Sequence, residues 1–251
     1  PNLDSADYDL DITLLQRMAT ESGRPVTYSL AQWGSDRTGW KRTIETMRAF
    51  NATNDTHLRA QVYPRPMGIV FGLDTGYNPF STCASYQPLV SLTLAERVAA
   101  MRTPELRTRL LAEDQDEARL EGMATLLRSF EDVYPLGETP DYEPTPDRSV
   151  AALARSRGLS ALEMAYELLL EDNGKALLFA PFSNYCDGNL DASLEMITDD
   201  ESLVGLGDGG AHYGLICDSS YPTTLLTHWT RDRQGERIAL PLAIKTLSAD
   251  N

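Results

Sequence analysis

Two hydrophobic rhythms alternate along the chain. Leu10, Leu14, Leu15 and Met18 recur at helical spacing. Gly23 follows and suits a left-handed C-terminal turn. Asp9 or Asp11 offers a short acceptor for the free amides at the start of that helix. Val26–Leu30 then reads as a short strand. The same plan repeats with a helix from Thr38 to Phe50, a polar turn "NATND", and a strand from His57 to Tyr63. Pro64 and Pro66 close that strand, because proline lacks the amide a central ladder needs.

From Met67 to Arg148 the rhythm changes. "GIVFGLDTGYNPFSTCASY" is rich in Gly, Pro and aromatics and predicts loop. Between Ser91 and Phe130, residues Leu92, Leu94, Val98, Leu106, Leu110 and Leu111 form apolar stripes without strand alternation, so helices outside the sheet are expected. Thr103 and Pro104 predict a cap and first-turn pair. "LGETPDYEPTPDRS" is a proline-rich connector. The first plan then resumes. Ser160 and Glu163 have capping-box spacing, and Gly174 stops the helix they open. "KALLFAPF" predicts a strand, "DASLEMITDDES" a short helix, and "LVGLGDGG" a last strand.

Helices alternating with short strands predict an α/β fold with a parallel sheet, either part of a (β/α)8 barrel or an open doubly wound sheet. The strands near Val26–Leu30, Leu58–Tyr63, Ala176–Ala180 and Leu203–Leu206 are expected as parallel neighbours in that order. Residues 1–66 and 151–251 would supply β/α units, and residues 67–150 a loop-rich, mainly helical insertion.

Composition narrows the partners. The 251 residues are 42% hydrophobic and 24% charged, as in soluble globular proteins, and carry a formal net charge of −15. Such a chain repels phosphate backbones, which argues against nucleic acid. The three cysteines, Cys83, Cys186 and Cys217, are scattered, with no CxxC pair, so a reducing, cytoplasmic setting is expected. No apolar run approaches a membrane span and no signal peptide is visible. The start at Pro1 without Met and the tail "KTLSADN" lead to the expectation of a piece of a longer protein. The composition leaves room for a homo-oligomer.

In parallel α/β folds, chemistry collects at the C-terminal ends of the strands. The candidate ends are Ser29–Gln32, Gln61–Arg65, Ala180–Asn184 and Asp208–His212. Asp208 is the leading candidate, because the glycines beside it leave room for a ligand. A carboxylate there could ligate a metal or accept a proton from water. It could equally cap or turn its loop. His212 could bind metal or move protons, although a lone histidine is more often structural. His228 reads as packed on a helix and His57 as exposed. Arg231 and Arg233 could grip a substrate carboxylate or line a solvated helix face. Cys186, near a strand end, could be reactive, but reads first as a small buried hydrophobe. HExxH, His-x-His, GxxxxGK[ST] and GxSxG patterns are absent, and "GLGDGG" lacks a following Rossmann helix.

At "GLGDGGAHYGLICDSSYPTTLLTHWTRDRQGERIALPLAIKTLS" the sequence resembles the D-aminoacylase branch of the amidohydrolase superfamily, in the C-terminal part of its catalytic barrel. "RSRGLSALEMAYELLLEDNG" and "YPRP" after "RAQV" extend the resemblance. It implies a metal-dependent hydrolase of amide C–N bonds, acting on a small N-acyl amino acid or related amide. Zinc or another divalent metal is the implied cofactor. Asp208 would touch the metal and take the proton of the attacking water, with His212 over the site and Arg231 or Arg233 near the substrate carboxylate. Gly207 stands where the family motif has Ser. The family's His-x-His and its metal-binding Cys or Glu have no counterpart here. Where deacylases carry a Ser-His pair, this chain has Ser29-Leu30. Leucine cannot coordinate metal, so a second expectation stands beside the first: an inert barrel remnant that binds or builds rather than catalyses.

Overall fold

The computed structural model describes residues 7–114, 116, 123–205, 207, 215–216 and 219–250. The elements run α1 (Tyr8–Ser22), β1 (Val26–Leu30), α2 (Gly39–Asn51), β2 (Leu58–Val62), β3 (Met67–Gly72), α3 (Leu94–Met101), α4 (Pro104–Ala112) and α5 (Met123–Arg128). There follow β4 (Tyr134–Pro135), α6 (Val150–Arg157), α7 (Ala161–Leu169), β5 (Leu177–Ser183), α8 (Asp191–Ile197), β6 (Ser202–Val204), α9 (Tyr221–Thr227) and α10 (Leu240–Ser248). The chain forms two compact units: Pro1–Met67, Phe182–Gly209 and Asp218–Asn251 in the first, Gly68–Pro181 and Gly210–Cys217 in the second.

The first unit holds a parallel sheet in the order β1-β2-β6. Its register places Leu30 beside Val62, and Val62 beside Val204. Alternation therefore divides the sheet into two faces. Tyr28, Leu30, Leu58, Ala60, Val62 and Val204 are buried on one of them. The Tyr28 hydroxyl reaches Met47 Sδ of α2 at 3.3 Å, which identifies this face as the one the helices cover. Burial pushes the Tyr28 phenol well above its usual range. Helix α1 contributes Ile12, Leu15 and Ala19, and α2 contributes Trp40, Ile44 and Met47. Leu58 and Val62 are 0% exposed, a burial that stabilises by roughly 1.5–3 kcal/mol for each side chain. On the opposite face Thr27 and Ser29 are exposed, and Arg59 and Gln61 half-buried.

Local chemistry sets the joints. Gly23 ends α1 at φ 65°, as expected of a left-handed cap. Asp9 and Asp11 sit inside the first turn of α1 rather than capping it. They complement the helix dipole instead. The buried Asn51 at the end of α2 accepts from Leu58 N at 2.8 Å and donates to Leu58 O at 2.9 Å, fixing where β2 starts.

The second unit holds a sheet in the order β3-β5-β4, with β4 antiparallel to β5. Two expectations are corrected here. The segment predicted as loop contains β3, whose Ile69, Val70 and Phe71 are buried strand formers. Its glycines are packing devices rather than loop signals. A Cβ on Gly68 would lie 2.4 Å from the Phe179 ring and 2.7 Å from Ala180 O. The second correction concerns order. β5 does not lie between β2 and β6: β6 pairs with β2 directly, and β5 pairs with β3 and β4. The physical reason is the close approach that Gly68 permits to Phe179, which also meets Tyr142 edge-on at 5.4 Å.

Helices α3, α4 and α5 occupy the stretch from Ser91 to Phe130, and no strand lies there among the described residues. Capping boxes open α3 at Thr93–Glu96 and α7 at Ser160–Glu163. Pro104 starts α4, but the Thr103 hydroxyl turns back to Ala100 O at 2.7 Å instead of capping forward. The Tyr166 phenol of α7 is buried, donates to Met101 O and is pushed by burial up to about 12.

Candidate active site at the strand ends

Beyond β1 and β2 the chain builds a polar cluster inside the first unit. Asn184, just past β5, is 0% exposed and holds φ 60°, a conformation rare for a residue with a Cβ. Its side-chain Oδ1 accepts from Gln32 N at 2.8 Å, and its own amide donates to Gln32 O at 2.9 Å. Its Nδ2 reaches Tyr63 O at 3.4 Å. Gln32 in turn donates through Nε2 to Asp187 Oδ2 at 2.5 Å and accepts from Cys186 N at 3.2 Å. Arg37 closes the chain of contacts on Asp187 at 3.1 Å. The ends of β1 and β2 and the 184–187 turn are thus joined by side-chain amides. Such fully engaged polar networks fix position in a low-dielectric setting.

A second group follows β2. Arg65 is 1% exposed, and its NH1 donates to Ser220 Oγ at 2.8 Å. Its guanidinium lies 5.8 Å from the Tyr63 ring, and Tyr221 lies 6.1 Å from the same ring. The indole of Trp229 donates to Pro64 O at 2.5 Å. The "YPR" segment is therefore clamped by α9 and by the π-turn of His228–Asp232 that follows it.

β6 ends at Val204, four positions before Asp208, and Gly205 N extends the pairing to Val62 O at 3.0 Å. Gly207 is exposed. Asp208 and His212 lie outside the described residues. Of the apolar residues that precede Asp208 in the sequence, Val204 is 2% exposed and Leu203 half-buried, and Leu206 lies outside the described residues.

The other expected residues are placed as follows. Arg231 is exposed and bonds Asp232 at 2.6 and 2.8 Å. That bond holds the Asp232 carboxyl below the usual carboxylate range. Arg233 is 1% exposed. It reaches Asp191 Oδ1 at 2.5 Å and Glu236 O at 2.7 Å, with its guanidinium 4.8 Å from the Trp229 ring. His228 is half-buried edge-on to Trp229, and His57 is exposed. Cys186 is half-buried, with Sγ 3.7 Å from Gln32 O.

Leu30 ends β1 at 4% exposure, on the helix-covered face. Among the described residues no group of three or more His, Cys, Asp or Glu side chains could hold a metal ion. The described residues therefore do not fit a metal centre.

Gln32, Arg65 and Asn184 were not singled out from sequence, although all three fall within the predicted strand ends. What distinguishes them is burial of polar groups, which residue type alone does not display. Had Asn184 been a glycine, the turn would have announced itself.

Comparison with known families gives one result. The amidohydrolase family matches residues 3–250, so this chain belongs to the amidohydrolase family. Searches of curated proteins and of solved structures found no match. No helix among the described residues is long and apolar enough to cross a membrane.

Proposed function

We propose that this chain is the C-terminal part of a barrel enzyme of the D-aminoacylase type, hydrolysing the amide C–N bond of a small N-acyl-D-amino acid. The observation that carries the reading is the family match over residues 3–250. The geometry is compatible with it: parallel strands run out together at a buried polar cluster, on the side where β/α folds place their chemistry.

Asp208 is the base in this reading. Its carboxylate takes a proton from water as the water oxygen attacks the amide carbonyl carbon. The tetrahedral intermediate then expels the nitrogen, which leaves with a proton as the amine, and the acyl group leaves as a carboxylic acid. His212 would stand over the reacting group. Arg231 and Arg233 are the proposed carboxylate contacts, with Arg233 needing to exchange its hold on Asp191 for the substrate. Zinc or another divalent metal is the cofactor implied by the resemblance. The described residues do not fit one. Its further ligands would come from the strands that carry the family's His-x-His.

The test is amine release from a panel of N-acetyl-D- and N-acetyl-L-amino acids by the whole protein. Turnover selective for the D series supports the reading. Hydrolysis of neither series sinks it.

Leu30 favours a second reading, the inert remnant that binds or builds. Metal analysis separates the two: stoichiometric zinc together with turnover excludes the remnant, and a metal-free, inactive protein that still binds the panel supports it.

A further inference from the structure

On the face of the first sheet turned away from the helices, side chains fall into rows that cross the strands. The register sets Thr27 beside Arg59, and Ser29 beside Gln61. It sets Gln61 beside Leu203 on the other side. The lower row closes on its surroundings: Arg59 donates to Asp200 O, and its guanidinium lies 3.6 Å from the Glu201 carboxylate. The upper row does not. Among the described residues the Ser29 hydroxyl and the Gln61 carboxamide have no hydrogen-bond partner. Half-buried Leu203 ends that row with an apolar side chain.

The upper row lies one residue short of the C-terminal ends of β1, β2 and β6. Strands of parallel β/α sheets are ordinarily near-continuous apolar runs, because both faces are covered. Here "VTYSL" and "LRAQV" alternate instead. In the barrel reading the face away from the helices is the inside of the barrel, which side chains fill in layers. The layer next to the mouth is therefore the one that keeps polar groups for a molecule entering from the strand ends. The row is also held in place. Asn184 accepts from Gln32 N at 2.8 Å and donates to Tyr63 O at 3.4 Å, tying the backbone beyond β1 to that beyond β2.

A carboxamide accepts through Oε1 and donates through Nε2, and a hydroxyl does both. Side by side they complement a secondary amide, which has one N–H to give and an oxygen to receive. An ester has no N–H, and its oxygen would meet Oε1 acceptor to acceptor. We infer that Ser29 and Gln61 are an amide-binding pair: Gln61 Oε1 takes the N–H of the scissile amide, while Gln61 Nε2 and Ser29 Oγ donate to the oxygens beside it. The inference rests on the hydrolytic reading above and adds to it the residues that recognise the bond to be cut.

Calorimetry on the whole protein tests it with N-acetyl-D-amino acids and the matching O-acetyl-D-hydroxy acids, which carry an ester oxygen in place of N–H. Binding is read in the Asp208→Asn protein, so that neither compound is consumed. The amide should bind about tenfold more tightly than the ester, since a site built for a hydrogen bond rejects the analogue that lacks it. Gln61→Met is close in length and lacks the carboxamide. It should weaken the amide about tenfold more than the ester and so erase the preference. Ser29→Ala should weaken both compounds alike, by a few-fold, and Thr27→Val, one row down, should change neither. A merely structural role for Gln61 would weaken both compounds equally, so a preference that survives Gln61→Met overturns the proposal. An unchanged Ser29→Ala protein removes Ser29 from the pair. If Gln61→Met fails to fold, Gln61→Glu takes its place: it keeps the acceptor, so the preference should persist, and its loss overturns the proposal. Wild-type turnover separates the two readings. Turnover together with a preference that survives Gln61→Met overturns the pair and leaves the hydrolase. No turnover together with a preference that Gln61→Met erases removes the hydrolase and keeps the pair as a binding site. A protein that binds neither compound, with or without the Asp208 substitution, overturns both.

Discussion

The two sheets of this chain solve the packing problem in opposite ways. In the first unit the strands keep their side chains and divide them. Tyr28, Leu30, Leu58, Ala60 and Val62 go under the helices, while Thr27, Ser29, Arg59 and Gln61 take the other face. In the second unit the strands give side chains up. Gly68 and Gly72 let β3 approach Phe179 and the carbonyls of Ala176 and Ala180 more closely than any Cβ would allow. The first arrangement leaves a polar face and polar strand ends, where the proposed chemistry would lie. The second leaves no side chain on β3 at these two positions, and the Phe179 ring and neighbouring carbonyls close in on the bare backbone. A substitution on the polar side of the first sheet should therefore bear on the proposed activity, whereas one on its covered face or at the glycine contacts of the second sheet should cost stability.

The sharpest way to break that contrast is Asp208→Asn. The side chain barely changes size, yet an amide cannot accept the water's proton. Turnover of N-acyl-D-amino acids should fall about 10²–10⁴-fold, with an unchanged thermal melt. Wild-type turnover in this variant removes the base from the mechanism.

Leu58→Ala probes the covered face of the first sheet. Leu58 is 0% exposed, so a cavity costing about 2–5 kcal/mol is expected, read as a lower urea midpoint with unchanged slope. A midpoint within error of wild type shows that the helices do not pack as described.

Gly68→Ala probes the second sheet. The new methyl would sit 2.4 Å from the Phe179 ring, and overpacking of this kind costs about 1–3 kcal/mol. Turnover measured well below the melting temperature should be unaffected. Loss of turnover without loss of stability would place chemistry where only packing is expected.

The smallest effect concerns pH. Tyr166 titrates near 12 in the folded chain and near 10 when unfolded. Below the unfolded value both states hold the proton and the contribution is complete. Above it the unfolded chain ionises first, so stability declines as pH rises from about 10 towards 12. Tyr166→Phe should flatten this part of the stability profile. An unchanged slope would show that the phenol is not responsible.

Much of the fold could be read from spacing. Val26–Leu30 is a strand with the expected bounds, and the Ser160–Glu163 box and the Gly23 cap form as expected. These features are local, decided by neighbours within a turn or two. The misread elements depend on residues far away. β3 looked like loop because Gly68 and Gly72 are ambiguous until Phe179 is placed beside them. The position of β5 could not be read from order of appearance, because pairing partners are chosen by side-chain fit across more than a hundred residues. Three strand ends fall within the expected ranges, Leu30 for β1, Val62 for β2 and Ser183 for β5, whereas β6 ends at Val204 and the range expected for it, 208 to 212, lies outside the described residues. Within them, Gln32, Arg65 and Asn184 were concealed by their ordinary identities, since burial gives them their interest.

One small feature has an outsized effect on which sequences can occupy this fold. Asn184 must satisfy two demands at once. Its backbone sits at φ 60°, and its carboxamide must accept from Gln32 and donate towards Tyr63. Glycine meets the first demand and fails the second. Glutamine carries the right group but reaches too far and tolerates the backbone poorly. Aspartate keeps the acceptor and loses the donor. In a library randomised at this codon, the wild-type asparagine should dominate the folded survivors, with aspartate and glycine as minor returns. A position this narrow acts as a checkpoint in mutational space: a route through 184 has very few exits.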